Sequence, residues 1–272
     1  MTLKAAIVNT ALGHLAQGVR DRMGLYSAIS TAPEALGTLS NDSIARILVE
    51  RLCSDGAMFV DVGAHIGSVI DGVRRHSKPS AIFAIEAIPA KAEALRKRFP
   101  NVTVHCTAAG DTEGHVSFFI DDRRSGYSSL DPQLKSRSWS VREIMVPINR
   151  LEALVPATNV DLIKIDVEGA ELGVLRGSEA IISASRPTVM FESGSDEMEA
   201  FPKSELWEWI DAHDYCAVVP NRVAHNDPGM TREVFLEAHL HPRRTTNYFA
   251  VARERRREIR DRARKVLGVV NS

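Results

Sequence analysis

Hydrophobic and polar positions follow two rhythms along this 272-residue chain. In the first fifty residues the apolar positions recur about every four. Leu3, Ile7, Ala11, Leu15, Val19 and Met23 form one stripe, which predicts an amphipathic helix packed against something. Breaks fall at Gly24 and around 33–37. Capping-type residues at 40–43 then lead into Ile44, Ile47, Leu48 and Leu52 at helical spacing. From residue 57 onward, short apolar runs alternate with helical stretches. "AMFVDVGA" (57–64), "AIFAIEAI" (81–88) and "NVTVHCTAAG" (101–110) read as the first three strands. "IGSVIDGVRRH" and "PAKAEALRKRF" read as helices between them, the second with Pro89 near its first turn. "VDLIKIDVEGAE", "RPTVMFE", "YCAVVP" and "NYFAVARE" supply four further strands. "GHVSFFID" and "REIMVPINRLEAL" read as extended pieces flanking a polar loop. Strands alternating with helices predict an α/β fold: a mostly parallel sheet of seven strands covered by helices on both faces.

Composition narrows the class. The hydrophobic fraction is 44% and the charged fraction 25%, ordinary for a globule with a real core. A net charge of −1 gives no footprint for nucleic acid. Cys53, Cys106 and Cys216 are isolated and odd in number, which argues against a disulfide framework and for a reducing, cytoplasmic setting. The polar Asn9, Thr10, His14 and Gln17 interrupt the mildly apolar N-terminus, and no stretch approaches the ~20 apolar residues of a membrane span. The end of the chain differs. Between Ala252 and Lys265 eight basic residues face three acidic ones, a local net of +5. Ile259, Ala263, Val266, Leu267 and Val270 share one helical face there. Such a segment suits a solvated helix end, peripheral contact with an acidic membrane, or a second subunit in a homodimer.

The densest chemistry begins at "FVDVGAHIGSVI" (59–70). In a parallel α/β sheet, ligands sit at the carboxyl ends of strands, where the strand order reverses. Glycine there lets the backbone approach a ligand, and the following helix N-terminus offers free N–H groups. A dinucleotide normally wants G-x-G-x-x-G. Here the spacing is D-x-G-x-x-x-G, one glycine short, and Asp61 would repel a pyrophosphate. S-adenosylmethionine carries an ammonium that suits Asp61 and a carboxylate that suits the N–H groups near Gly63. Glu86 ends the second strand, where an acid accepts ribose hydroxyls of either cofactor. An NAD-dependent oxidoreductase therefore stands as the first rival, and a non-catalytic cofactor-binding module docking through its basic tail as the second.

"DLIKIDVEGAELGVLRG" (161–177) is the other dense stretch. Lys164 and Asp166 alternate with Ile163 and Ile165, so both point to one face. A buried lysine needs a counter-ion, and Asp61, Asp166 and Glu192 are the candidates. At this point the sequence resembles the FkbM-type methyltransferases. The matching pieces are "VDVGAHIG", "AIEAIP", "AAGDTEG", "GYSSL", "VDLIKIDVEGAELGVLRG", "RPTVMFE" and "NYFAV", in family order over about 57–251. The resemblance implies a Rossmann-like, seven-stranded methyltransferase core whose last strand is antiparallel. It implies S-adenosylmethionine as donor and O-methylation of an alcohol on a sugar, glycolipid, lipid-linked glycan or polyketide-type acceptor. Carried over to this chain, Asp61, Gly63, Ala64, His65, Gly67, Glu86, Ala87, Ala109 and Asp166 would surround the cofactor. His65 stands where the family usually shows asparagine; either hydrogen-bonds. The expected organisation is an N-terminal helical extension (1–52), a methyltransferase domain (53–251) and a basic C-terminal helix or tail (252–272).

Deprotonating an aliphatic hydroxyl calls for a positioned base. Asp166 and Glu192 end the fourth and fifth strands and come first as the base; Glu168, just beyond Asp166, and Lys164, beside them, complete the catalytic candidates. Asp166 serves equally as a group that only orients the cofactor, and Glu192 as one that only pairs with Lys164. His239 and His241 are alternatives as a base or as an H-x-H metal pair; no third ligand accompanies them, and no metal is expected. The loop at 121–140, with Tyr127 and Trp139, suits acceptor recognition.

Overall fold

The computed structural model describes residues 23–24, 26–121, 128–129, 141–194 and 201–269. The stripe from Leu3 to Val19, Val270, and the aromatic residues Tyr127 and Trp139 lie outside the described residues.

Seven strands form the main sheet: β1 (Met58–Val62), β2 (Ala81–Ile85), β3 (Thr103–His105), β8 (Val160–Ile165), β9 (Thr188–Glu192), β10 (Tyr215–Val218) and β11 (Asn247–Ala252). Their order is β10-β11-β9-β8-β1-β2-β3. Neighbours pair in parallel except at β11, which runs antiparallel to both β9 and β10. Every residue of β8 is buried, as expected of a central parallel strand covered on both faces. The order reverses between β1 and β8. Their carboxyl ends therefore open onto one crevice.

A second sheet of four strands, ordered β4-β7-β5-β6, stands beside the first. It consists of β4 (Ala108–Gly110), β5 (Gly114–Asp121), β6 (Ser128–Ser129) and β7 (Val141–Arg150). The stretch 101–110, expected as one strand, is thus two strands in two sheets. Thr107 marks the corner: its hydroxyl donates to Pro147 O at 2.9 Å and accepts from Asn149 Nδ2 at 2.9 Å. This ties the break to β7. Val146, Ile148, Ala108 and Ala87 pack together, with Phe118 and Ile144 against them, so the small sheet walls one side of the crevice.

The helices flanking this core pack into it from both chain ends. Helix Leu36–Leu52 buries Ala45, Leu48, Val49 and Leu52 in the same cluster as Phe59, Ile70 and Phe249. Helix Arg256–Leu267 buries Ile259 and Ala263 there too. Its arginines turn inward. Arg255 Nη2 lies 2.8 Å and Arg262 Nη2 2.6 Å from the buried carboxylate of Asp161, which also accepts from Ser54 N at 2.8 Å. Arg262 also donates to Leu52 O. Arg256 donates to the carbonyls of Arg222, Val223, His225 and Asp227, and Arg264 to that of Ala224. Much of the +5 charge that suggested a membrane-facing helix from sequence is committed to fastening helix Arg256–Leu267 to the sheet. Among the described residues no helix is long and apolar enough to cross a membrane. All three cysteines are free thiols.

Candidate active site

A cleft of about 270 Å³ opens at the carboxyl ends of β1, β2, β8 and β9, over the reversal of strand order. Its floor begins with the turn after β1. Gly63, at φ 77°, passes so close to β8 that a Cβ there would sit 1.8 Å from Asp166 O. Only glycine allows this approach. Gly63 N and Ala64 N both donate to Ile85 O, which fixes the turn against β2. Gly67, also at φ 77°, begins helix Ser68–His76. It lies behind the cleft, where a Cβ would meet Phe99 Cε2 at 2.4 Å and Leu95 Cδ2 at 2.7 Å. Its glycine is required by packing rather than by contact with the cleft.

Glu86 follows β2 and borders the cleft. Its carboxylate accepts from His65 N at 2.8 Å and from Ile88 N at 2.9 Å, one bond on each oxygen. Burial raises its pKa, and the hydrogen bond from Ile88 and the charge of Lys91 oppose that rise. Each oxygen keeps acceptor capacity for hydroxyl groups in the cleft. Ala64, His65, Ala87 and Ala109, expected from sequence, line the cleft with Val69, Ile88 and Phe118.

The opposite side is ionic. Asp61 and Lys164 are register partners on β1 and β8, so they meet on one face. Lys164 Nζ sits 3.2 Å from Asp61 and 3.2 Å from Asp166, and donates to Gly63 O at 3.0 Å. Burial alone would lower the lysine pKa, but the two carboxylates outweigh it and hold the ammonium charged above its ordinary value. Asp61 does not border the cleft. It is fully buried beneath it, its pKa raised by burial against the pull of Lys164, and neither oxygen accepts a well-formed hydrogen bond. Direct contact between Asp61 and a cofactor ammonium, expected from sequence, gives way to a place one layer down, because the pairing register aims its side chain at Lys164.

Asp166, Glu168 and Glu192 all line the cleft. The Asp166 side chain is 34% exposed. Burial would raise its pKa, yet Lys164 and a hydrogen bond with Glu192 hold it below the ordinary carboxylate value. Glu192 takes the opposite direction. Burial, then the charge of Asp166, pushes it above the ordinary carboxylate value, so of the two Glu192 is the one that holds a proton more readily. Glu168 is pushed up to about 7, by burial first and then by Asp166 and Glu171. Its backbone lies in the left-handed region at φ 54°.

The histidines take other places. His239 is buried away from the cleft lining. Its Nδ1 donates to Phe235 O at 2.7 Å, and its Nε2 lies 3.0 Å from Ser193 Oγ. Lys203 Nζ donates to the same Oγ at 2.8 Å. This cluster fastens the end of β9, just past Glu192. His241 is exposed on the following loop. Sequence reading missed Lys91, which lines the cleft between Glu86 and Glu168 and feels both carboxylates. Its position in the first turn after Pro89 was a usable signal. Among the described residues, no three His, Cys, Asp or Glu side chains cluster as a metal site.

The residues present fit S-adenosylmethionine. Gly63 and Ala64 form the floor, Glu86 keeps acceptors for a ribose, and Ala87, Ile88, Ala108 and Phe118 give apolar walls for a purine. The half-exposed Asp166 offers negative charge toward an ammonium or sulfonium.

Comparison with known proteins agrees. The family model described as "Methyltransferase FkbM domain" matches residues 61–216, more than half of the chain. A "Methyltransferase 1" of the fungus Beauveria bassiana is 25% identical over 146 residues, covering 45% of this chain and 59% of the relative. The crystal structure of "Methyltransferase FkbM" from Methylobacillus flagellatus is 20% identical, with a TM-score of 0.47 over 73% of this chain and 44% of that one. This chain therefore spans about half the length of the relatives it matches. With the family's domain running from the end of β1 to the start of β10 and the cleft built as described, the chain belongs to the FkbM methyltransferase family, and its cofactor is S-adenosylmethionine.

Proposed function

We propose that the protein is an S-adenosylmethionine-dependent O-methyltransferase acting on a hydroxyl of a sugar, a lipid-linked glycan or a polyketide-type molecule. One observation carries this reading: a single cleft is bordered by the ribose-type acid Glu86 at one end and by Asp166, Glu168 and Glu192 at the other. When bound, the cofactor supplies an electrophilic methyl group on a sulfonium. The chain must place a hydroxyl oxygen in line with it, about 3 Å away, and take its proton.

In this reading Glu86 holds the ribose and Asp166 the cationic region, while the Gly63 turn, whose N–H groups at Gly63, Ala64 and His65 donate to Ile85 O and Glu86, forms the floor beneath the amino-acid end. Glu168 is the base. A pKa near 7 leaves it ionised often enough at neutral pH to accept a proton, and basic enough to hold one. Glu192, whose carboxyl is raised by burial and by Asp166, is the member of that pair that holds the proton and donates a hydrogen bond. The Asp166–Glu192 pair thus presents one acceptor and one donor, which suits a hydroxyl, itself both donor and acceptor. Lys164, which also lines the cleft, fixes Asp166 in its ionised state. Three acids at the acceptor end disfavour anionic acceptors, which supports neutral glycans or polyols.

The test is transfer of a radiolabelled methyl group to a panel of neutral sugars, glycolipids and polyketide alcohols. Label on an acceptor oxygen supports the reading. Label found only on nitrogen or carbon acceptors rejects O-methylation. Binding of the cofactor with no transfer to any acceptor favours a non-catalytic module.

A further inference from the structure

The turn that carries Glu168 is built from an unfavourable backbone. Glu168 and Gly169 are consecutive residues at positive φ, 54° and 103°. Glycine adopts this freely. Glutamate does so only when its surroundings enforce it. Curling the chain this way turns the amides of Val167 and Gly169 inward, and buried amides need acceptors. Both find the same one: Glu171 Oε1 accepts from Val167 N at 3.2 Å and from Gly169 N at 3.2 Å.

Glu171 itself is 3% exposed and does not border the cleft. It opens the short helix Glu171–Arg176, whose Leu172, Val174 and Leu175 are buried in the main core. That helix is seated hard against the second sheet. A Cβ on Gly177 would fall 1.8 Å from Gly110 O, and one on Gly173 would lie 3.9 Å from Gly110 Cα. A rigid helix therefore carries the one carboxylate that holds the turn.

We infer that Glu171 is a positioning residue: its buried carboxylate clamps the 166–170 turn in the left-handed form that places Glu168 in the cleft. This rests on the reading of Glu168 as the base. The charged groups that act on Glu168 are Asp166 and Glu171, both repelling its ionised form, and Lys164 and Lys91, both favouring it. Those acting on Glu171 are the amides it accepts from and the charge of Asp166.

The test separates the clamp from the charge. Glu171→Gln and Glu171→Met remove the same negative charge, but only glutamine keeps an oxygen that accepts from both amides. Glu171→Ala is a second removal, one that admits water, should the methionine variant not fold. The readout is carbon-13 NMR titration of the full chain labelled at glutamate side-chain carboxyls, with Glu168 assigned by loss of its signal in Glu168→Gln. In the wild type, Val167 and Gly169 amide shifts should move with the Glu171 carboxyl on titration. In Glu171→Gln the Glu168 midpoint falls because one repelling charge is gone. In Glu171→Met or Glu171→Ala it falls further, by about one unit, a tenfold change in the acid constant, as the freed turn lets Glu168 reach water. Equal midpoints in the glutamine and apolar variants, or wild-type amides that ignore the Glu171 titration, overturn the inference. Calorimetry of the same samples with S-adenosylhomocysteine reports separately on the cofactor reading. Wild type that fails to bind rejects that reading and leaves the NMR outcome to decide the clamp.

Discussion

Replacing Lys164 with methionine should destabilise the protein in a way that grows with pH. The side chains are close in length, so packing is largely kept and the change removes the cation. Asp61 then sits fully buried with no counter-ion, its nearest charge partner at 3.2 Å having gone. Removing one member of a buried pair commonly costs about 3–5 kcal/mol. The structure sets its own ceiling, because Asp61 can instead take up a proton. From an ordinary value of 3.8, protonating it at pH 7 costs about 4.4 kcal/mol at 1.36 kcal/mol per unit. At pH 5 the same step costs about 1.6 kcal/mol. The sign follows from linkage. In the variant, the folded-state pKa of Asp61 is raised far above its unfolded value, so its contribution is intact below about 3.8 and is lost steadily as pH rises. Urea denaturation at pH 5, 6, 7 and 8, followed by circular dichroism and tryptophan fluorescence, measures the deficit against wild type. The expected deficit is about 1–2 kcal/mol at pH 5 and about 4 at pH 7. Adding Asp61→Asn should recover most of the pH 7 loss. A penalty that does not change with pH, or a double variant no more stable than Lys164→Met alone, would refute the view that Lys164 exists to neutralise buried carboxylates.

Three further outcomes follow from the geometry. Asp161→Ala should cost about 1.5–3 kcal/mol in urea denaturation, because Arg255, Arg262 and Ser54 N lose their shared carboxylate while Glu258 still pairs with both arginines. The Asp161 carboxyl lies well below its ordinary value, since its arginine partners outweigh burial. Its stabilisation is therefore present above about pH 4 and lost as acid carries the pH below it, a window the variant should lack. Gly63→Ala should abolish or weaken S-adenosylhomocysteine binding by at least about tenfold in calorimetry, because β1 and β8 must part to admit a methyl group 1.8 Å from Asp166 O. Glu168→Gln should lower kcat by about 10²–10⁴ and remove the rise in rate with a midpoint near pH 7, while cofactor affinity stays within about threefold.

Much of this was legible in the residues. Apolar runs with two buried faces gave all seven main strands, and the lysine within β8 pointed to a carboxylate partner among Asp61, Asp166 and Glu192, of which it pairs with the first two. Glu86, Asp166, Glu168 and Glu192 were placed at the strand ends because a parallel sheet puts them there, and the cleft gathers all four. Other features depend on register or on tertiary partners that no local pattern carries. Asp61 and Gly67 belong to the glycine turn in sequence, but cross-strand register sends one to Lys164 and the crowding of Phe99 explains the other. The break at Thr107 is written in its partners Pro147 and Asn149, forty residues away in the chain. The basic C-terminal stretch read as a solvated or membrane-facing helix because arginine spacing does not reveal Asp161 at its far end. The paired extended segments around 114–150 showed their strand character but not that they build a separate sheet.

Calorimetric titration of the full chain with S-adenosylhomocysteine, beside NAD, reaches the central claim most directly. One-to-one binding of the thioether is expected, weakened about 10–100-fold by Glu86→Gln as charge-assisted bonds to the ribose are lost, with no heat from NAD. No binding at millimolar concentration, unchanged affinity in Glu86→Gln, or tighter binding of NAD would contradict the cleft as described.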